Sequence, residues 1–184
     1  MTNLFCASAL ATLLCASAGL PNTSSPTNVE TNVTRQASSE EEAVKEATEL
    51  IRQSHFSSEG LAAAEKGLWR LLEEHRDSGI AYVLSTLLES VQERQALTMF
   101  NIVMFLQYKR SAYQPAEGRL KGILSKYLKY SRLDDVLYQL ALLQIKNGLG
   151  AEGKETLQKL LNKPGYFPRI MDAREKLESL GYGK

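Results

Sequence analysis

The chain has 184 residues, 43% hydrophobic and 23% charged, with a formal net charge of +1 and two cysteines. That length supports one domain with a real core. A net charge near zero gives no global attraction for nucleic acid, and the apolar content is that of an ordinary globular chain.

Met1–Asn3 precede an apolar stretch, Leu4–Leu14, followed by Cys15-Ala16-Ser17-Ala18-Gly19. An apolar run ahead of an Ala-x-Ala site is the pattern of a secretory signal peptide. The run is too short to span a bilayer as a helix, which takes about 20 residues. A signal over 1–18 and a mature chain from Gly19 are therefore expected. No Lys or Arg precedes the apolar core, the first basic residue being Arg35. The alternative is a buried N-terminal helix of small apolar residues. Both cysteines, Cys6 and Cys15, fall inside this segment, so thiol chemistry and disulfides are not expected beyond it. Cys15 opens a second reading, lipidation as in bacterial lipoproteins, with Leu14 a poor match to the small residue that precedes a lipidated cysteine. A single acyl chain anchors only weakly. Residues 19–38, rich in Ser, Thr and Asn with two prolines, have little to bury and are expected as a disordered linker.

A helical domain is expected over 39–184. Ser39 with Glu40–Glu42 reads as a capping box, and Ala43, Ala47, Leu50 and Ile51 form an apolar stripe at helical spacing. Ser57-Ser58-Glu59 opens a second helix, with a stripe of Leu61, Ala64, Leu68, Leu71 and Leu72 and with Trp69 beside it. Asp77-Ser78-Gly79 is a turn.

From Ile80 to Tyr113 there is neither Gly nor Pro. The stripe Ile80, Leu84, Leu87, Leu88, Val91 would continue at 94, 95 and 98, which are Arg94, Gln95 and Thr98. The apolar set resumes at Ala96, Leu97, Met99, Phe100, Val103 and Met104, a slip of two residues that turns the stripe by about 200°. A break near Ser90–Glu93 is expected, giving two helices. The second, apolar nearly all round from Leu97 to Tyr108, is expected to be the most buried. Pro115 suits the first turn of a helix over Ala116–Tyr130. Leu133–Asn147 follows, closed by Gly148, then Ala151–Asn162. Lys163-Pro164-Gly165 breaks the chain, and a last helix runs from Pro168 to about Leu180, stopped by Gly181. The pattern is all-α, about eight helices with no strand. The short connections imply antiparallel neighbours.

Asp134 to Gly165 resembles a tetratricopeptide repeat. Leu140-Ala141 fit the Leu-small pair of its first helix and Gly148 its turn. Gly153 fits the small position of its second helix, Leu157 and Leu160 the apolar positions, and Pro164 the end. Where the family usually has Tyr, this chain has Gln144. The pair Ala96–Tyr113 and Ala116–Tyr130 lies about one repeat upstream, and the closing helix is similar to that of exported bacterial tetratricopeptide-repeat proteins of the cell envelope. The resemblance implies a helical-hairpin solenoid that holds a peptide or protein in a groove without catalysis. It implies a periplasmic or envelope location.

Few residues carry chemistry. His55 and His75 are the only histidines and neither has a His-x-x-x-His partner. Glu73-Glu74 and Asp134-Asp135 diverge by ~100° around a helix, which disfavours a catalytic dyad. No catalysis, cofactor or metal is expected. The charge distribution stands out. Residues 36–93 hold twelve acidic and five basic side chains, and residues 94–184 hold sixteen basic and eight acidic. The densest stretch is Lys109, Arg110, Arg119, Lys121, Lys126, Lys129 and Arg132, interleaved with Tyr108, Tyr113, Tyr127 and Tyr130. One reading is a surface for an anionic protein, peptide or lipid partner. The other is that the two halves balance each other and the tyrosines pack in the core. Export argues against nucleic acid, and a membrane partner is expected only if Cys15 is lipidated. The expected function is an exported scaffold that binds a protein or peptide. The alternative is an assembly subunit that self-associates through its acidic and basic halves.

Overall fold

The computed structural model describes residues 29–109, 112–163 and 168–181, excepting the side chains of 29–34 and 109. The expected signal over 1–18, with Cys6 and Cys15, lies outside the described residues, as does the linker over 19–28. The chain divides into two units, Met1–Ala37 and Ser38–Lys184. Among the described residues there are seven helices and no strand: α1 Val29–Gln53, α2 Ser58–Glu74, α3 Ala81–Lys109, α4 Tyr113–Lys126, α5 Leu133–Lys146, α6 Gly150–Leu161 and α7 Ile170–Ser179. The all-α expectation is met. None of these helices is long and apolar enough to cross a membrane.

Two boundaries correct the sequence reading. α1 begins at Val29, so residues 29–38 of the expected linker are helical and Ser39 lies inside the helix. Nothing from Thr27 to Glu59 is Gly or Pro, so nothing in the stretch terminates a helix that propagates backward from its buried positions Ala43 and Ala47. The second correction is α3. The break expected at Ser90–Glu93 is absent, and one helix runs through it. Among the described residues this gives seven helices where eight are expected.

The cores explain the shifted stripe. A first core joins Ala43 and Ala47 of α1, Leu61, Leu68 and Leu71 of α2, and Leu84, Leu88 and Val91 of α3. A second joins Ala96, Phe100 and Val103 of α3, Ala116, Leu120 and Ile123 of α4, and Val136, Leu140 and Leu143 of α5. A third joins Ala141 of α5, Leu157 and Leu160 of α6, and Ala173 and Leu177 of α7. The buried stripe of α3 turns by about 120° between Val91 and Ala96 because the helix changes partner there, not because it breaks. The C-terminal half of α3 is not buried all round, since Ile102, Phe105 and Tyr108 are exposed.

The α5–α6 hairpin follows the sequence closely. Gly148 has φ +83°, a conformation that L side chains rarely adopt. The Leu149 N–H donates to the Gln144 carbonyl (2.8 Å) and the Gly148 N–H to that of Ile145 (3.1 Å), which is a Schellman cap. Gly153 then brings α6 against α5. A Cβ there would lie 2.6 Å from Ile145 Cγ1 and 2.9 Å from the Ala141 carbonyl oxygen. Gln144 is buried and accepts a hydrogen bond from Thr156 Oγ1 at 2.7 Å.

Candidate functional site

The basic stretch lies on α4 and the connection to α5, with Lys109 and Arg110 just before it. Arg110 and the Lys109 side chain lie outside the described residues. Arg119 is exposed. The other four are ion-paired. Lys121 meets Glu117 at 2.7 Å, Lys126 meets Glu65 at 3.0 Å, Lys129 pairs with Glu89, and Arg132 meets Asp135 at 2.7 Å. Glu65 and Glu89 belong to the acidic half of the sequence. Two basic charges of the second half, Lys126 at the end of α4 and Lys129 in the α4–α5 connection, are therefore joined to acidic charges on α2 and α3 within one copy. Tyr127 and Tyr130 are buried, whereas Tyr108 is exposed, so the interleaved tyrosines divide between core and surface.

The pairs on half-buried carboxylates are more than surface ornament. Burial is the largest influence on Glu65 and pushes its carboxyl up. Hydrogen bonds from Lys126, Gln92 and Gln95, with the Lys126 charge, outweigh it and hold the group below the usual carboxylate range. Asp135 behaves alike: burial raises it, and Arg169 and Arg132 more than offset that. Arg169 Nε donates to Asp135 Oδ1 at 2.6 Å, tying the start of α7 to α5. Glu117 is lowered chiefly by its hydrogen bond from Lys121, against some burial and with help from Asn147.

Where α3 changes core, Gln95 is buried and its Oε1 accepts from the Tyr127 hydroxyl at 2.8 Å. Gln92 Nε2 donates to Glu65 Oε1 at 3.1 Å. The Tyr127 bond holds the C-terminal end of α4, which stops at Lys126 rather than the expected Tyr130. Tyr127 turns inward to reach Gln95.

Beside this crossover lies a cleft of about 300 Å³. Thr86, Glu89, Ser90, Gln92 and Glu93 of α3 form one wall, and Tyr127, Lys129 and Tyr130 form the other. Glu93 accepts hydrogen bonds from the Ser131 N–H (3.0 Å) and the Ser131 hydroxyl, holding the second wall against the first. The Tyr130 hydroxyl is buried and has no hydrogen-bond partner among the described residues. An unmatched buried polar atom is uncommon in folded chains.

Sequence reasoning missed Glu65, Gln95 and Glu93. Gln95 did leave a signal, as a polar residue where the stripe demanded an apolar one. Among the described residues no group of three or more His, Cys, Asp or Glu is placed to hold a metal ion. Comparison of the chain with protein-family models, with curated proteins and with solved structures finds no match.

Proposed function

We propose that the chain is an exported, non-catalytic adaptor of the cell envelope that holds a protein or peptide partner on a helical-repeat surface of the tetratricopeptide kind. The observation that carries this reading is the sharing of α3 and α5 between successive cores. Repeat proteins grow in this way, each layer completing its core with an element of the next. The close approach of Gly153 to Ala141 supports the resemblance of the α5–α6 pair in particular. The exposed Ile102, Phe105 and Tyr108 on α3 give such a surface apolar contacts.

The alternative, self-association through opposite charges, has less to drive it. Lys126 and Lys129 already meet Glu65 and Glu89 in the same copy. Sedimentation across a range of salt concentrations, alongside capture from envelope extract with the full chain, separates the two. A monomer that retains one protein partner reproducibly supports the adaptor. Concentration-dependent, salt-sensitive assembly with no partner retained supports the alternative. Intact-mass measurement of the native protein tests export: a chain beginning near Gly19 is expected, and Met1 retained on cytosolic material contradicts it.

A further inference from the structure

The seam that α3 presents to α2 runs on past the start of α2. At 3.6 residues per turn Ile102 stands about five turns on from Leu84 and continues the line of the first core, yet Ile102 is exposed. Beyond Ser58 and Ala62 of α2 the line lies open as a cleft of about 220 Å³, floored by Thr98, Met99 and Ile102 and flanked by Lys126 of α4. Phe105 and Tyr108 extend the exposed apolar surface along α3. The Gln95–Tyr127 bond and the approach of Gly122 to Met99 set α4 antiparallel to α3, which brings Arg119 level with about Val103. A Cβ on Gly122 would meet only the Met99 methyl, at 3.7 Å, so no packing within the fold requires glycine there. Glycine is a poor helix former, and its missing side chain keeps this wall of the groove low.

Charge marks the occupant. From Gln95 to Ala116 the sequence has no Asp or Glu, whereas Arg94, Lys109 and Arg110 are basic. Arg94 and Arg119 are exposed, and neither has an acidic partner among the described residues. Lys126 is already taken up by Glu65. Glu59, in the first turn of α2, is offset by the positive end of that helix. The Arg94 guanidinium lies 4.8 Å from the Phe56 ring centre. Phe56 is half-exposed, on a backbone with φ +44° at His55 and +55° at Phe56. That conformation is costly for residues with a Cβ, and it holds an aromatic ring at the end of the groove instead of in the core.

We propose that this groove takes an acidic amphipathic helix of the protein partner, laid end to end with α2 against Thr98, Ile102 and Phe105, with its carboxylates meeting Arg94 and Arg119. The two arginines are separated by about nine residues along α3, or ~13 Å, which carboxylates about two helical turns apart span. A concave site between two helices fits a helix better than it fits a flat lipid surface. The proposal rests on the adaptor reading, since a partner must supply the helix.

The test is fluorescence anisotropy of a labelled amphipathic peptide of about 16 residues, Leu and Ala on one face with Glu beside them, titrated with the full chain. Two controls keep the apolar pattern, one with Lys for every Glu and one with proline at its centre. Saturable binding of the Glu peptide, weakened by salt and absent with either control, is expected. Arg94→Glu combined with Arg119→Glu, both at exposed positions, should keep the parent thermal midpoint and weaken binding by roughly tenfold or more. Gly122→Leu should keep or raise the midpoint and abolish binding. No binding, equal binding of a control, or unchanged binding by these variants would overturn the proposal. So would copies of the chain paired through this face in sedimentation and released by Ile102→Asp, or attachment to phosphatidylglycerol vesicles that the Glu peptide does not displace. The adaptor reading fails separately. A full chain that binds the Glu peptide yet retains no protein keeps the groove and loses the adaptor, and partner capture unaffected by Gly122→Leu does the reverse.

Discussion

α3 serves its two cores in series, with Leu84, Leu88 and Val91 in the first and Ala96, Phe100 and Val103 in the second. α5 serves its two in parallel, with Val136, Leu140 and Leu143 facing one way and Leu137, Ala141 and Ile145 the other. Sharing in series needs length and an unbroken backbone, but each half of the helix buries only one face. Sharing in parallel fits into 14 residues but makes most of the circumference apolar. It also brings α6 within 2.9 Å of the α5 backbone at the would-be Cβ of Gly153. α3 should therefore tolerate changes of side chain and resist breaks in its backbone. α5 should not tolerate added bulk on either face.

The largest effect is expected from breaking the backbone of α3. Ser90 is exposed on the helix, so Ser90→Pro removes little packing. It should still lower unfolding free energy by about 3 kcal/mol or more, through the lost hydrogen bond and the clash with the preceding turn. Denaturant melts check this. Two helices joined at Ser90–Glu93 would accept the proline with little loss. Next is bulk in α5 and α6. Ala141→Leu or Gly153→Leu should cost about 1–3 kcal/mol by overpacking. Lys159→Leu, on the exposed side of α6, should stay within about 0.5 kcal/mol of the parent.

These contrasts mark what could be read from the sequence. The α5–α6 hairpin was legible because its determinants are local: Gly148 as a stop, and Ala141 and Gly153 as small residues at matching heights. α3 was not. A stripe that changes direction looks the same whether the helix ends or only changes neighbour, and the absence of Gly or Pro across residues 80–113 was the better guide. The charge pairs were illegible for another reason. Lys126 and Glu65 are 61 residues apart, and Lys129 and Glu89 are 40 apart, so no local pattern links them. Composition showed the imbalance between the halves without showing that the fold partly closes it.

Acid sharpens the comparison further. Glu65, Glu117 and Asp135 are held below the ordinary carboxylate range. Their unfolded values lie near about 4.3 for Glu and 3.9 for Asp. Each therefore adds stability that is fully present above the unfolded value and is lost as pH falls through the folded one. The chain should weaken progressively below about pH 5. Glu65→Gln should be less stable at neutral pH and show a shallower acid decline in thermal melts. The smallest effect is expected at the exposed pair of Lys129 with Glu89. Lys129→Glu should change stability by about 0–1 kcal/mol, visible only as a modest shift in midpoint that shrinks with added salt.

The claim on which the rest depends is that α3 is one helix shared by two cores. Native-state hydrogen exchange across residues 84–103 tests it most directly. The account predicts slow exchange that continues without a gap through Ser90–Glu93, because those amides sit in the interior of a helix with a core on either side of them, at Leu84–Val91 and at Ala96–Val103. Rapid exchange confined to Ser90–Glu93, at the rate of the α1–α2 connection around Ser54–Ser57, would contradict it and restore the two-helix reading.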